Sequence, residues 1–287
     1  MTVAFATAVQ QWYDDARRDL PWRAHDASPW SIVVSEFMLQ QTPVARVLPV
    51  WHEWVSRWPT PAALAAEPAG AAVRAWGRLG YPRRALRLHA TAVAIVADHD
   101  GRVPSSYDDL RALPGIGDYT AAAVAAFAFD ARVAVLDTNV RRVYRRVFDG
   151  TDDMVATPTA AERAAALARV PATRPGRYAV TVMELGALVC TARGPRCGVC
   201  PVAEQCRWRA AGAPAARSTR RVQRYEGTDR QARGRVLALL RDGADPVAAT
   251  DVDRVWPDAR QRARAIDGLV ADGLVEVLSD GRLRLPS

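Results

Sequence analysis

The chain has 287 residues, enough for two domains and a sizeable core, and 49% of them are apolar. No apolar run approaches a membrane span and the first residues carry no export signal, so the expectation is a cytoplasmic protein without membrane attachment. The formal net charge of +8 points to an acidic partner, nucleic acid before others, although a GC-rich genome would also enrich arginine. All 39 Lys+Arg residues are arginine, which excludes side-chain chemistry needing a lysine amine, such as a Schiff base.

Residues 3–18 read as a helix, with Phe5, Val9, Trp12 and Ala16 at helical spacing, followed by a turn at Leu20-Pro21-Trp22-Arg23. A second helix is expected from about Trp30 to Gln41, stopped before Pro43. It holds Glu36 amid apolar neighbours, where desolvation favours the neutral carboxyl; the ordinary alternative is an exposed glutamate on a polar face. Helices near 44–57, 61–66, 68–76 and 82–98 follow, with Arg74, Arg78, Arg83, Arg84 and Arg87 crowded around the turn Leu79-Gly80-Tyr81-Pro82.

The most informative stretch runs from Leu113 to Val147. A short helix around 106–111 ends at Pro114, and another begins near Gly117 and continues through an alanine-rich run to about Phe129. The Pro-Gly-Ile-Gly turn between them leaves the first backbone N–H groups of the second helix without partners, an anion site that suits a DNA phosphate at Gly115 and Gly117, or an ordinary helix connection. Beyond Asp137 a helix is expected to turn Val140, Val143, Tyr144 and Val147 inward and Arg141, Arg142, Arg145 and Arg146 outward, a stripe that either tracks a phosphate backbone or, for most of it, faces solvent. Helices near 159–169 and 175–190 lead to the cysteines, the second carrying Glu184, and no strand pattern of any strength precedes residue 210.

All four cysteines lie in one cluster, Cys190-x6-Cys197-x2-Cys200-x5-Cys206. Without an export signal, disulfides are disfavoured. Structural zinc usually shows two close cysteine pairs, and here only Cys197 and Cys200 form one, so the chemistry leans to an iron–sulfur cluster and leaves zinc open. Arg193 and Arg196 inside this loop suit either a phosphate or solvent. Residues 211–227 read as a basic linker. After it, Thr228 is placed to cap a helix, another helix spans about 258–272, and Asp280-Gly281 between two short apolar alternations signals a hairpin. This order suggests a winged-helix-like module at 228–287, whose Arg260, Arg262 and Arg264 either read DNA or face solvent while the module packs on the preceding domain.

Taken together, Leu20–Arg23, Ser35–Thr42, Leu79–Tyr81, Leu113–Ala121, Leu136–Val140, Glu184–Val189 and the cysteine spacing resemble, in order, the helix-hairpin-helix base-excision DNA glycosylases, and most of all the adenine DNA glycosylases of the MutY type. The resemblance implies an all-α fold: a helical barrel domain with the helix-hairpin-helix at 29–131 and an iron–sulfur cluster domain at 1–28 and 132–210, with a cleft between them. It implies a [4Fe-4S] cluster on Cys190, Cys197, Cys200 and Cys206. It also implies a monomer acting on double-stranded DNA with adenine mispaired with 8-oxoguanine or guanine. Glu36 would be the general acid, Asp137 the ionised carboxylate stabilising the sugar cation, Asn139 its orienting partner, and Tyr119 a neighbour of the sugar. Trp22, Arg23 and Glu184 would line the adenine pocket. Related glycosylase-lyases carry a lysine where this chain has Tyr119, so a monofunctional enzyme is expected. Two features depart from the family. Pro82 stands where a second tyrosine usually wedges beside 8-oxoguanine, leaving Gln41, Thr42, Leu79 and Pro82 as candidates to meet the opposite base, and the 228–287 module is too short for the usual C-terminal domain. The alternatives are a same-fold enzyme removing thymine or a damaged pyrimidine, a non-catalytic DNA-binding protein, and a zinc-dependent structural protein.

Overall fold

The computed structural model describes residues 2–215, 225–243 and 245–287. Of the linker expected at 211–227, residues 216–224 therefore lie outside the described residues. No helix among the described residues is long and apolar enough to cross a membrane. By contact the chain resolves into two compact units. The first comprises 1–32, 105–112 and 116–220, and the second 33–104, 113–115 and 221–287.

The first unit contains α1 (Thr2–Ala16), α7 (Tyr107–Ala112), α8 (Asp118–Phe129), α9 (Thr138–Tyr144), α10 (Ala160–Arg169), α11 (Pro175–Leu188) and α12 (Arg207–Ala210). Its core gathers Phe5 of α1, Tyr144, Phe148 and Tyr178, with the Phe5 and Phe148 rings 5.0 Å apart edge to face. The Tyr144 hydroxyl donates to that of Tyr178 at 3.2 Å, and burial pushes both phenols up, Tyr178 to about 12. The alanines of α8 serve close packing, since Ala121–Ala126 are all buried and α8 lies against α11. That contact groups α8 with the cysteine-bearing segment, whereas the sequence-based division placed 29–131 together.

The second unit holds α3 (Val44–Arg57), α4 (Pro61–Ala65), α5 (Ala69–Ala75), α6 (Arg83–Asp98), α13 (Asp229–Asp242), α14 (Ala249–Val255), α15 (Ala259–Ala271) and strands β1 (Glu276–Val277) and β2 (Leu283–Arg284). The division falls inside α2 (Pro29–Leu39), between Ile32 and Val33. Trp54 packs edge to face on Trp58 (4.8 Å) and Trp76 (5.5 Å), and its ring N–H donates to the Ala75 carbonyl at 3.0 Å. Three helices and an antiparallel hairpin form the C-terminal module, in the order expected for a winged helix.

Three expectations need correction. Arg141, Arg142 and Arg146 are buried, because acceptors elsewhere in the unit receive their guanidiniums: Glu162 for Arg141, the Cys190 carbonyl for Arg142, and Asp152 with the Thr191 carbonyl for Arg146. The helix beyond Asp137 is also not regular: after α9 it widens into a π turn, Arg145–Asp149. Thr228 precedes α13, but its hydroxyl donates to the Tyr225 carbonyl and makes no side-chain cap. Helix α14 had no clear periodic signal in seven residues.

Candidate functional site

In the first unit the site is built around the start of α9. Asp137 is the N-cap of that helix: one carboxylate oxygen accepts from the Val140 N–H at 2.6 Å and the other from the Asn139 side-chain amide at 2.8 Å. Arg142, one turn on, donates to the Asn139 side-chain oxygen and to the Gly186 carbonyl, each at 2.7 Å, and to the Cys190 carbonyl at 2.6 Å. A single guanidinium thus ties the carboxylate-bearing turn to the first cysteine. Gly186 permits this, since a Cβ there would lie 2.7 Å from the Asn139 carbonyl oxygen. Burial pushes the Asp137 carboxyl above its usual range, while the Val140 N–H, the Asn139 amide and the Arg142 charge oppose that shift by favouring the ionised form.

Glu184, on α11, is fully enclosed. Arg18 donates to it from its backbone N–H (2.9 Å), its Nε (2.9 Å) and its Nη2 (2.6 Å), and Arg23 adds a fourth bond at 3.0 Å. These donors outweigh burial and hold its carboxyl down at about 2. Glu184 is therefore a fixed anion that orients Arg23 rather than an open wall of a pocket. The other terminal nitrogen of Arg23 is buried with no hydrogen-bond partner, a donor available to a ligand. Trp22 is buried in the short turn Pro21–Arg23. Arg18 had no signal of its own in the sequence.

The four cysteine side chains line one small apolar pocket with Val143, Val147, Leu185 and Trp208. Arg146 lies over the Trp208 ring at 4.4 Å and points a nitrogen at the Cys190 sulfur at 3.5 Å. A convergent all-thiol set with apolar walls and a flanking guanidinium suits an iron–sulfur cluster, which is wider than an ion and carries negative charge. Arg196 is exposed and holds the Leu188 carbonyl, and Arg193 is exposed.

In the second unit Glu36 is 5% exposed, which removes the alternative of a solvated surface glutamate. Its helix α2 is buried continuously from Ser31 to Met38. Arg84 clamps the end of that helix: its nitrogens donate to the carbonyls of Phe37, Met38, Gln40 and Gly80 and, at 3.0 Å, to the Thr42 hydroxyl. The helix's last carbonyls thereby find a cation. Burial without a carboxylate partner pulls Arg84 down to about 10, still charged at neutral pH. Thr42 and Leu79 are buried, whereas Gln41 is exposed and Pro82 partly exposed.

The hairpin turn also belongs partly to this unit. Gly115 has φ +79°, and a Cβ on it would lie 2.7 Å from the Arg87 side chain, so only glycine fits. The Pro114 carbonyl accepts from the Thr91 hydroxyl at 2.6 Å. In the first unit, Gly117 is the exposed N-cap of the 12-residue α8, with open space beside it. Tyr119 sits partly buried in the first turn of that helix, against an alanine-rich cluster.

A helical hairpin before an Asp-capped helix, with a four-thiol loop beyond, defines the class of helix-hairpin-helix repair glycosylases. Residues 34–169 match the HhH-GPD superfamily of base excision DNA repair proteins, and residues 190–206 match the iron–sulfur binding domain of endonuclease III. The chain is 56% identical to the adenine DNA glycosylase of Mycolicibacterium smegmatis over 96% of this chain and 93% of that protein. It is 52% identical to that of Mycobacterium tuberculosis over 98% and 93%. It is 39% identical to the human adenine DNA glycosylase over 72% of this chain but only 39% of that protein. A thermostable thymine-DNA glycosylase superposes with a TM-score of 0.68 at 26% identity, covering 73% of this chain and 97% of that one. An endonuclease III in complex with DNA (TM-score 0.60, 21% identity, covering 72% and 94%) shares the fold. The chain belongs to the adenine DNA glycosylase family of base-excision repair enzymes, and as such is an iron–sulfur protein that acts on DNA.

Proposed function

We propose that this enzyme removes adenine mispaired with 8-oxoguanine or guanine in double-stranded DNA by hydrolysing its N-glycosidic bond. The observation that carries the reading is the Asp137 turn, a carboxylate with both oxygens occupied by donors and its orienting amide held in turn by Arg142. Breaking an N-glycosidic bond needs a protonated leaving base and a stabilised, oxocarbenium-like sugar. Glu36, buried in α2, is the general acid that protonates adenine N7. Asp137 is the ionised partner that stabilises the sugar cation, and Asn139 keeps its orientation. Tyr119 lies against the sugar. Trp22 and Arg23 receive the adenine once it has left the stack, with Glu184 fixing Arg23 from behind. Gln41, Thr42, Leu79 and Pro82 face the opposite base, and Gly115 and Gly117 take a backbone phosphate.

Cys190, Cys197, Cys200 and Cys206 hold a [4Fe-4S] cluster, which when bound fixes the loop that carries the Cys190 carbonyl and so anchors Arg142. With no lysine in the chain and tyrosine at position 119, the product is an abasic site in an uncut strand. The enzyme works as a cytoplasmic monomer.

Single-turnover adenine release tests the two carboxyl roles. Glu36→Gln should lower the rate by about 10²–10⁴ with duplex affinity kept, as expected for a lost general acid. Asp137→Asn should do at least as much. Near-wild-type release by either variant contradicts the corresponding role.

A further inference from the structure

We propose that the C-terminal module is part of the DNA-binding surface, completing with the Leu79–Pro82 turn a groove that holds a phosphodiester backbone. The inference rests on DNA being this enzyme's substrate and adds where a strand is held.

The module is seated firmly within its unit. Arg74 of α5 donates to the carbonyls of Leu240, Arg241 and Gly243 at the end of α13, and Arg241 returns a bond to the Val73 carbonyl at 3.0 Å. Each helix end receives a cation from the other, which opposes its negative dipole. The Gly70 N–H donates to the Pro286 carbonyl at 2.7 Å.

Between α13 and the Leu79–Pro82 turn this packing leaves a groove of 1280 Å³, larger than the roughly 300–1,000 Å³ of a small-molecule site. Nine arginines line it against one carboxylate, Asp272, which already pairs with Arg83 and Arg233. They come from two stretches of chain more than 140 residues apart in sequence, so a local run of basic residues does not explain them. A concave surface of like charge is self-repelling until a polyanion fills it. Arg78, Arg87, Arg230 and Arg235 are exposed there, and Arg230 is held over the exposed Tyr81 ring at 4.9 Å.

Two non-glycine residues of the wall, Gln41 (φ 55°) and Tyr81 (φ 49°), hold left-handed backbone, a strain that tends to mark working surfaces. The groove also reaches the hairpin, because Arg87 lines it and packs along Gly115. By contrast, two of the arginines that the sequence offered for DNA reading are engaged elsewhere, Arg262 with Asp253 and Arg264 with Asp229. Helix α13, not α15, is thus the module's DNA-facing element.

The test is binding of the full-length protein to a fully paired duplex, followed by fluorescence anisotropy across a salt series. The double variant Arg230→Ala/Arg235→Ala should bind roughly tenfold more weakly at low salt. Its slope of log affinity against log salt should be shallower by about 1.8, or 0.9 per phosphate contact. Arg230→Lys/Arg235→Lys should restore the slope, and Arg254→Ala, 80% exposed on α14 outside the groove, should keep wild-type values. Arg78→Ala/Arg87→Ala repeats the test from the other wall. Wild-type slopes in both double alanine variants, or an equal loss in Arg254→Ala, would overturn the proposal. A wild-type protein that shows this groove-dependent affinity but releases no adenine would sink the proposed function and leave the groove standing.

Discussion

In the unit that carries Asp137, four arginines are held by carboxylates: Arg18 and Arg23 share Glu184, Arg141 meets Glu162, and Arg146 meets Asp152, while Arg142 beside Asp137 is held by carbonyl and amide oxygens. In the unit that carries Glu36, Arg84 and Arg241 face carbonyl oxygens, and burial pulls each down to about 10. Both solutions give the guanidinium several acceptors, although one nitrogen of Arg23 and one of Arg84 stay without a partner, but only the first sets a carboxylate against its charge. The carboxylate-held arginines fix geometry in this unit, and the charge that acts on the Asp137 carboxylate is that of Arg142. The carbonyl-held arginines leave positive charge in place beside a groove already rich in it, as a polyanion surface needs.

That contrast can be broken most forcefully at Glu184. Glu184→Ala would strand Arg18 and Arg23 and should cost about 3–5 kcal/mol in chemical or thermal unfolding, the usual penalty for removing one partner of a buried pair. A pH series sharpens the point. The folded carboxyl is depressed to about 2, so its contribution is complete above the ordinary glutamate range and is lost as pH falls from there toward about 2. It is worth on the order of 3 kcal/mol. Glu184→Gln should flatten the stability profile over that acid window.

A smaller effect is expected at Arg142. Arg142→Ala should leave duplex affinity intact and reduce single-turnover release by about 10²-fold, because Asn139 and then Asp137 lose their alignment. Since burial raises the Asp137 carboxyl, the acid limb of the rate–pH profile should lie above the ordinary aspartate range, and losing the Arg142 charge should move it higher still. An unchanged limb in Arg142→Ala would separate the arginine from Asp137. Smallest is Gly70→Ala, whose Cβ would run into the Pro286 carbonyl oxygen. It should cost about 1–2 kcal/mol through local overpacking, read as a lower melting temperature.

Much of this was legible in the residues. Helix positions, the Pro-Gly-Ile-Gly turn, the helix start after Asp137 and the lone cysteine cluster follow from local chemistry, which sequence encodes directly. The inward arginines were not legible. A helix with alternating apolar and arginine positions reads as amphipathic, and what reverses Arg142 and Arg146 is a set of acceptors 44 to 48 residues away. Glu184 was legible as important but not as enclosed, because Arg18 reaches it across 166 positions. The groove arginines of α13 carry no signal of their own in the sequence, because it is the seating of the module on α5 that gathers them opposite the Leu79–Pro82 turn. Burial of Glu36, in contrast, was signalled by its apolar neighbours alone.

The most direct measurement is single-turnover base release, at one fixed salt, from duplexes carrying adenine opposite 8-oxoguanine, guanine, cytosine or thymine, and thymine opposite guanine. Rapid adenine release opposite 8-oxoguanine, slower release opposite guanine and an uncut strand is the predicted result. Release of thymine with adenine untouched, or strand cleavage that accompanies release, would contradict the account.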